Sequence, residues 1–147
     1  LKTNHFQNSK EKMDNSLEEQ LYSDFPELYR GRNESLQENL MPLGFTVRDG
    51  WYDVIYDLSE KIVDYCKEND FDIPKVFQVK EKFAGLRFYL ESYPDEKIRE
   101  FIDEAEKRSF ETCEVCGSKG KKWSGSWIKT LCDEHAEKQG YSETVSD

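Results

Sequence analysis

Four side chains in this 147-residue chain have the types and spacing to hold a metal ion: Cys113, Cys116, Cys132 and His135. Cys113-x2-Cys116 and Cys132-x2-His135 are two pairs of donors, each two residues apart. A tight turn or a first helical turn lets both members of such a pair reach one ion. Three thiolates and an imidazole make a tetrahedral donor set that Zn²⁺ favours. With all four positions taken by protein, no place remains for water or substrate, and Lewis-acid catalysis needs one. The cofactor expected is therefore structural zinc. Gly117 follows the first pair, as a knuckle with an unusual backbone dihedral requires. Lys121–Thr130 has the length of a small hairpin, and the second pair opens a helix. Knuckle, hairpin and helix follow in the order of a treble-clef finger.

No other catalytic constellation accompanies these residues. The only other histidine is His5, near the start, so no base is at hand for a nucleophile. Cys66 falls on an apolar stripe and reads as a small buried hydrophobe. P-loop, GxGxxG and HExxH patterns are absent. The chain reads as leaning away from an enzyme.

The finger must be carried by something larger. Trp51, Val54, Ile55, Leu58, Ile62, Tyr65 and Cys66 recur at steps of three and four, predicting an amphipathic helix over 51–69 with Asp49 as its cap. Asp53, Asp57, Glu60 and Asp64 lie on the opposite face, as a solvated stripe or as a dock for a basic partner. Val76–Lys80 and Leu86–Leu90, joined by a loop containing Gly85, predict an antiparallel hairpin. Pro94-Asp95 opens a second helix reaching about Phe110. A short helix is expected over 14–22, and a wrapping segment over 23–50 with at most one short helix near 34–40, while Gly44–Val47 can be extended. The fold class expected is α+β: a small antiparallel hairpin or sheet packed with two amphipathic helices, plus a treble-clef-like zinc finger. The boundaries expected are a disordered tail at 1–13, the α+β domain at 14–111, the finger at 112–140 and a polar tail at 141–147. Leu1 in place of a methionine fits either a TTG start or a true start at Met13.

The net charge of −10 argues against nonspecific nucleic-acid binding by the whole chain. The basic groups gather on the hairpin (Lys80, Lys82, Arg87) and the finger (Lys119, Lys121, Lys122, Lys129). With Tyr89, the hairpin cations can line an anion-binding surface. Trp123 and Trp127 either stack on bases or pack the finger against its domain, as buried aromatics do in small cores. Trp51, at the start of the long helix, is a further candidate for contact with a ligand or partner. No apolar run is long enough to span a membrane. Metal-spaced cysteines without an export pattern suit a reducing cytoplasm.

Taken together, Gly50–Asp53, Gln78–Tyr89 and Thr112–Gly117 give the chain a likeness over residues 40–136. It resembles small proteins common in phages and prophages, with a GDGW-like helix start, a VKEKFGGLRFY-like hairpin and a TCExCG…LCxxH finger. Ala84 departs from that pattern, which has glycine there. The resemblance implies the fold, the zinc site and a mobile-element setting in a host cytoplasm, and it carries over no catalytic residue. Treble-clef folds also occur in HNH nucleases, but Lys121–Thr130 lacks the histidine those need. The leading expectation is a non-enzymatic accessory protein that binds and modulates a host protein. The alternative is a nucleotide or nucleic-acid binder using the basic hairpin and finger.

Overall fold

The computed structural model of the chain describes residues 12–145. Most of the tail expected at 1–13 lies outside the described residues. Met13 does not belong to it, being 2% exposed, and its N–H donates to the Phe45 carbonyl.

The long amphipathic stripe forms a helix, α2 (Tyr52–Glu68), which buries Val54, Ile55, Leu58, Ile62, Val63 and Cys66. It packs against α3 (Glu96–Ser109), which contributes Ile98 and Ala105. Asp95 caps α3 by accepting from the Lys97 N–H at 3.0 Å. Asp49 does not cap α2. It sits in a 3-10 turn, Asp49–Trp51, and its carboxylate accepts from the Asp14 N–H at 2.8 Å. The turn itself leads the chain into the helix, so no side-chain cap is used.

Against the helices lies a three-stranded sheet of order β1-β2-β3: β1 (Phe45–Thr46), β2 (Val76–Lys82) and β3 (Gly85–Leu90). β2 and β3 are antiparallel, with Val79 opposite Phe88 and Lys80 opposite Arg87. β1 joins β2 in parallel. Leu86 and Phe88 face the core, as strand alternation requires, and Val76 and Val79, three residues apart, both do so because the register shifts between Val76 and Gln78. The short helix expected over 14–22 is α1 (Asn15–Asp24), and the wrapping segment after it runs through 3-10 turns at Arg30–Asn33 and Met41–Leu43, in place of a helix near 34–40. Together they add Leu21, Phe25, Leu28, Tyr29 and Met41 to the core. Each such side chain stabilises the fold by roughly 1.5–3 kcal/mol.

The β2–β3 connection has only two residues, Phe83 and Ala84, and both have positive φ, +53° and +71°. That is the backbone of a type I′ turn, which normally takes Asn-Gly. Gly85 does not supply the left-handed conformation. Its lack of a side chain instead makes room for the Phe110 ring, which a Cβ would approach to 2.5 Å.

Candidate metal centre

The four donors converge. Their ligating atoms all lie within 4.8 Å of one another. Cys116 Sγ and Cys132 Sγ are 3.8 Å apart, and His135 Nδ1 lies 3.8 Å from Cys113 Sγ and 3.2 Å from Cys132 Sγ. A tetrahedral ion with metal–sulfur bonds of about 2.3 Å and a metal–nitrogen bond of about 2.0 Å has S···S and S···N edges of about 3.8 and 3.5 Å. The donors fit such an ion, and the group is able to hold a metal.

Local backbone structure places each pair. At the knuckle, the Gly117 N–H donates to the Cys113 carbonyl at 2.9 Å, and the Cys113 N–H donates to the Ser118 carbonyl at 2.7 Å. Gly117 takes φ +83°, the left-handed value that a side chain would penalise. The second pair opens α4 (Asp133–Lys138). Cys132 caps this helix, its sulfur accepting from the His135 N–H at 3.4 Å. Between the pairs run β4 (Lys121–Ser124) and β5 (Lys129–Leu131), antiparallel. The chain beyond α4 is not merely a polar tail, because β6 (Glu143–Thr144) pairs with the other edge of β4.

The thiols differ in acidity. Burial pushes Cys113 up, against N–H groups of Cys132, Cys116 and Val115. Burial is the largest single influence on Cys132 and raises it, but the His135 backbone and ring, Ser118 and Cys113 together outweigh it and bring the thiol down to about 6. A metal takes all three sulfurs as thiolates, so its binding releases the protons they still carry.

The finger has a core of three buried residues, Cys113, Leu131 and Ala136, flanked by Val115, Trp123 and Tyr141. It is also docked onto the larger domain at two places. Gly50 lies against the knuckle, donating its N–H to the Glu114 carbonyl at 2.7 Å, and a Cβ there would lie 2.1 Å from the Cys113 carbonyl oxygen. Beside it, Trp51 Nε1 donates to the Thr112 carbonyl at 2.8 Å. At the second place, Thr130 Oγ1 donates to the Ala84 carbonyl at 2.7 Å, and Lys129 pairs with Glu81 at 3.2 Å. The Glu81 carboxylate also accepts the Ala84 N–H, so the strained turn is held from both sides. Glu114 is buried, which pushes its carboxyl up, with Lys129 and the Arg48 N–H opposing.

The remaining candidates fall apart into separate groups. Trp51 is fully buried and its N–H is spent within the fold, so it has no surface to offer a ligand. Arg87 is ion-paired with Glu106, which occupies the guanidinium expected to take an anion. Lys80 is half-buried opposite Arg87, Lys82 sits over the Phe83 ring, and Tyr89 is exposed. Trp123 is half-buried, and its Nε1 donates to the Leu131 carbonyl. Trp127 alone of the tryptophans projects outward, 74% exposed. Residue types and spacing gave no sign of the docking residues Gly50, Thr130 and Ala84, because their contacts run through backbone carbonyls. Among the described residues no helix is long and apolar enough to cross a membrane. No family model matches the chain, and no curated protein or solved structure is similar enough to it to be matched.

Proposed function

We propose that the ion is Zn²⁺, that it is structural, and that the chain is a non-enzymatic, phage-type accessory protein that binds and modulates a host protein. The observation that supports this reading is the donor set: three cysteines and one histidine within 4.8 Å, enough to fill the four positions of a tetrahedral ion. Borderline-soft Zn²⁺ suits that set, and its role there is to fix the finger in a treble-clef-like arrangement. Among the described residues this is the one group of metal-binding side chains. On α2, Asp53, Glu60 and Asp64 are exposed, and Asp57 is shared with Arg108 at 2.7 Å. That face suits a basic surface of a protein partner, attracted over about a Debye length.

The test is capture from bacterial lysate by the immobilised chain, with an Asp53→Lys/Asp64→Lys variant in parallel. A host protein retained by the native chain in stoichiometric amount, and lost with the variant, supports the reading. Equal retention by both, or none over a range of salt, counts against it. Zinc is tested separately by elemental analysis of the purified protein, with one ion per chain expected.

A further inference from the structure

A groove of about 390 Å³ runs between the larger domain and the finger, walled in part by Arg48, Glu114, Trp127, Lys129, Lys138 and Tyr141. An adjoining hollow of about 270 Å³ shares Trp127 and Tyr141. Together they have the size of small-molecule sites, which run from roughly 300 to 1,000 Å³.

Two features of the groove are not explained by folding. The first is Trp127, whose ring is left in solvent at the β4–β5 turn and adds little to the finger's core. At that turn Gly125 packs closely on the Tyr141 ring, which a Cβ would approach to 2.7 Å. The second is Arg48. Its backbone N–H donates to Glu114 Oε2 at 3.2 Å, which anchors the residue at the groove. Its guanidinium makes no hydrogen bond and no ion pair within 4.0 Å among the described residues and is not sealed from solvent, while its charge also helps to hold down the buried Glu114 carboxyl. The nearby acids are already engaged: Glu81 and Glu114 with Lys129, and Glu134 with Lys138. A planar forked cation thus faces the same groove as an exposed indole and a phenol ring.

We propose that this groove binds a nucleoside monophosphate, with Arg48 taking the phosphate and Trp127 and Tyr141 stacking on the base. A guanidinium matches phosphate in two parallel hydrogen bonds, and any base offers a face to an aromatic ring. The net charge of −10 favours a small anion over a nucleic-acid strand, because a strand must hold many phosphates near an acidic protein. The site shares no residue with the basic hairpin and does not depend on the host-protein reading.

Trp51 is fully buried and Trp123 half-buried, so quenching of tryptophan emission reports chiefly on Trp127. The metal-loaded full chain is titrated with adenosine and cytidine monophosphates, with adenosine, and with inorganic phosphate. Saturable quenching by a monophosphate is expected, with affinity about tenfold or more above that of adenosine or phosphate alone. Arg48→Gln is expected to weaken monophosphate binding about tenfold or more while keeping its metal. Trp127→Ala, whose ring supports no core, is expected to weaken it at least about fivefold by calorimetry. The proposal is overturned by no saturable quenching below roughly 1 mM, by undiminished binding to Arg48→Gln, or by binding of a single-stranded oligonucleotide when monophosphates do not bind.

Discussion

The two parts of this chain reach order by different physics. The α+β domain buries an apolar cluster running from Met13 to Ala105, with helices, sheet and wrapping segment all contributing. The finger has an apolar core of three buried side chains, one of them a metal donor. A core that small cannot offset the conformational entropy of some thirty residues, at roughly 1–2 kcal/mol each. Metal and docking must make up the difference. The same secondary-structure types are therefore self-sufficient in one region and dependent in the other.

Cys116→Ala should break that contrast most severely. Removing one thiolate forfeits metal-binding free energy on the order of 10 kcal/mol. Residues 112–145 should then lose amide protection while α2 and α3 keep theirs, as read by hydrogen exchange. Acid should reach the same state by another route. Cys132 is depressed to about 6 in the fold, so its stabilising contribution is present above the ordinary thiol range and is lost as pH falls through about 6. Protons also compete with the metal for all three thiolates, and the sign is the same. Metal release followed by a chelator dye should rise on acidification below about 6; retention well below that range would argue against thiolate ligation.

Docking can be broken without touching a ligand. Gly50→Ala drives a methyl into the Cys113 carbonyl, a backbone atom that cannot step aside. A loss of about 3 kcal/mol is expected in denaturant titration, with metal stoichiometry retained. A change under about 0.5 kcal/mol would mean that the knuckle does not rest on Gly50. Trp51→Phe is milder. It removes the Nε1–H that satisfies the Thr112 carbonyl, and should cost about 2 kcal/mol.

The smallest effect sharpens the picture of the turn. Ala84 sits at φ +71°, where a side chain is strained by about 1–2 kcal/mol. Ala84→Gly relieves that strain but loses a buried methyl worth about 0.8 kcal/mol, so near-neutral stability is expected. Ala105→Gly, in the middle of α3, should cost about 1 kcal/mol or more. Equal losses at the two sites would refute the strained turn.

The donors were legible in the sequence because their chemistry is fixed by side-chain type and by spacing along a few residues. The helices 52–68 and 96–109 were legible for a similar reason, since apolar side chains repeat with the helical period. What was hidden is tertiary. Gly50 and Cys113 meet through a carbonyl oxygen across more than sixty residues, and no local pattern encodes that contact. Gly44–Val47 reads as extended and holds β1, but its parallel pairing with β2 has no local sign, and β6 has two residues, too few to show alternation. The turn lies within the expected loop, but its geometry had no sign in the sequence, because glycine is the ordinary holder of positive φ, whereas here Phe83 and Ala84 hold it and Gly85 makes room for Phe110. Arg48 gave no signal at all, since a lone arginine between a strand and a helix has no partner in sequence. The phage-protein likeness drew attention to Gly50–Trp51, the hairpin and the knuckle as separate stretches. In the fold Gly50–Trp51 meets the knuckle and the hairpin meets β5, the two places at which the finger is docked.

The decisive measurement is a pair of amide NMR spectra of the full chain, before and after chelation, with the bound metal quantified in the same sample. One ion per chain is predicted, with collapse of the signals from residues 112–145 on its removal and little change in those of α2, α3 and the first sheet. A protein without stoichiometric metal, or a finger whose signals are unmoved when the metal is gone, would contradict the account.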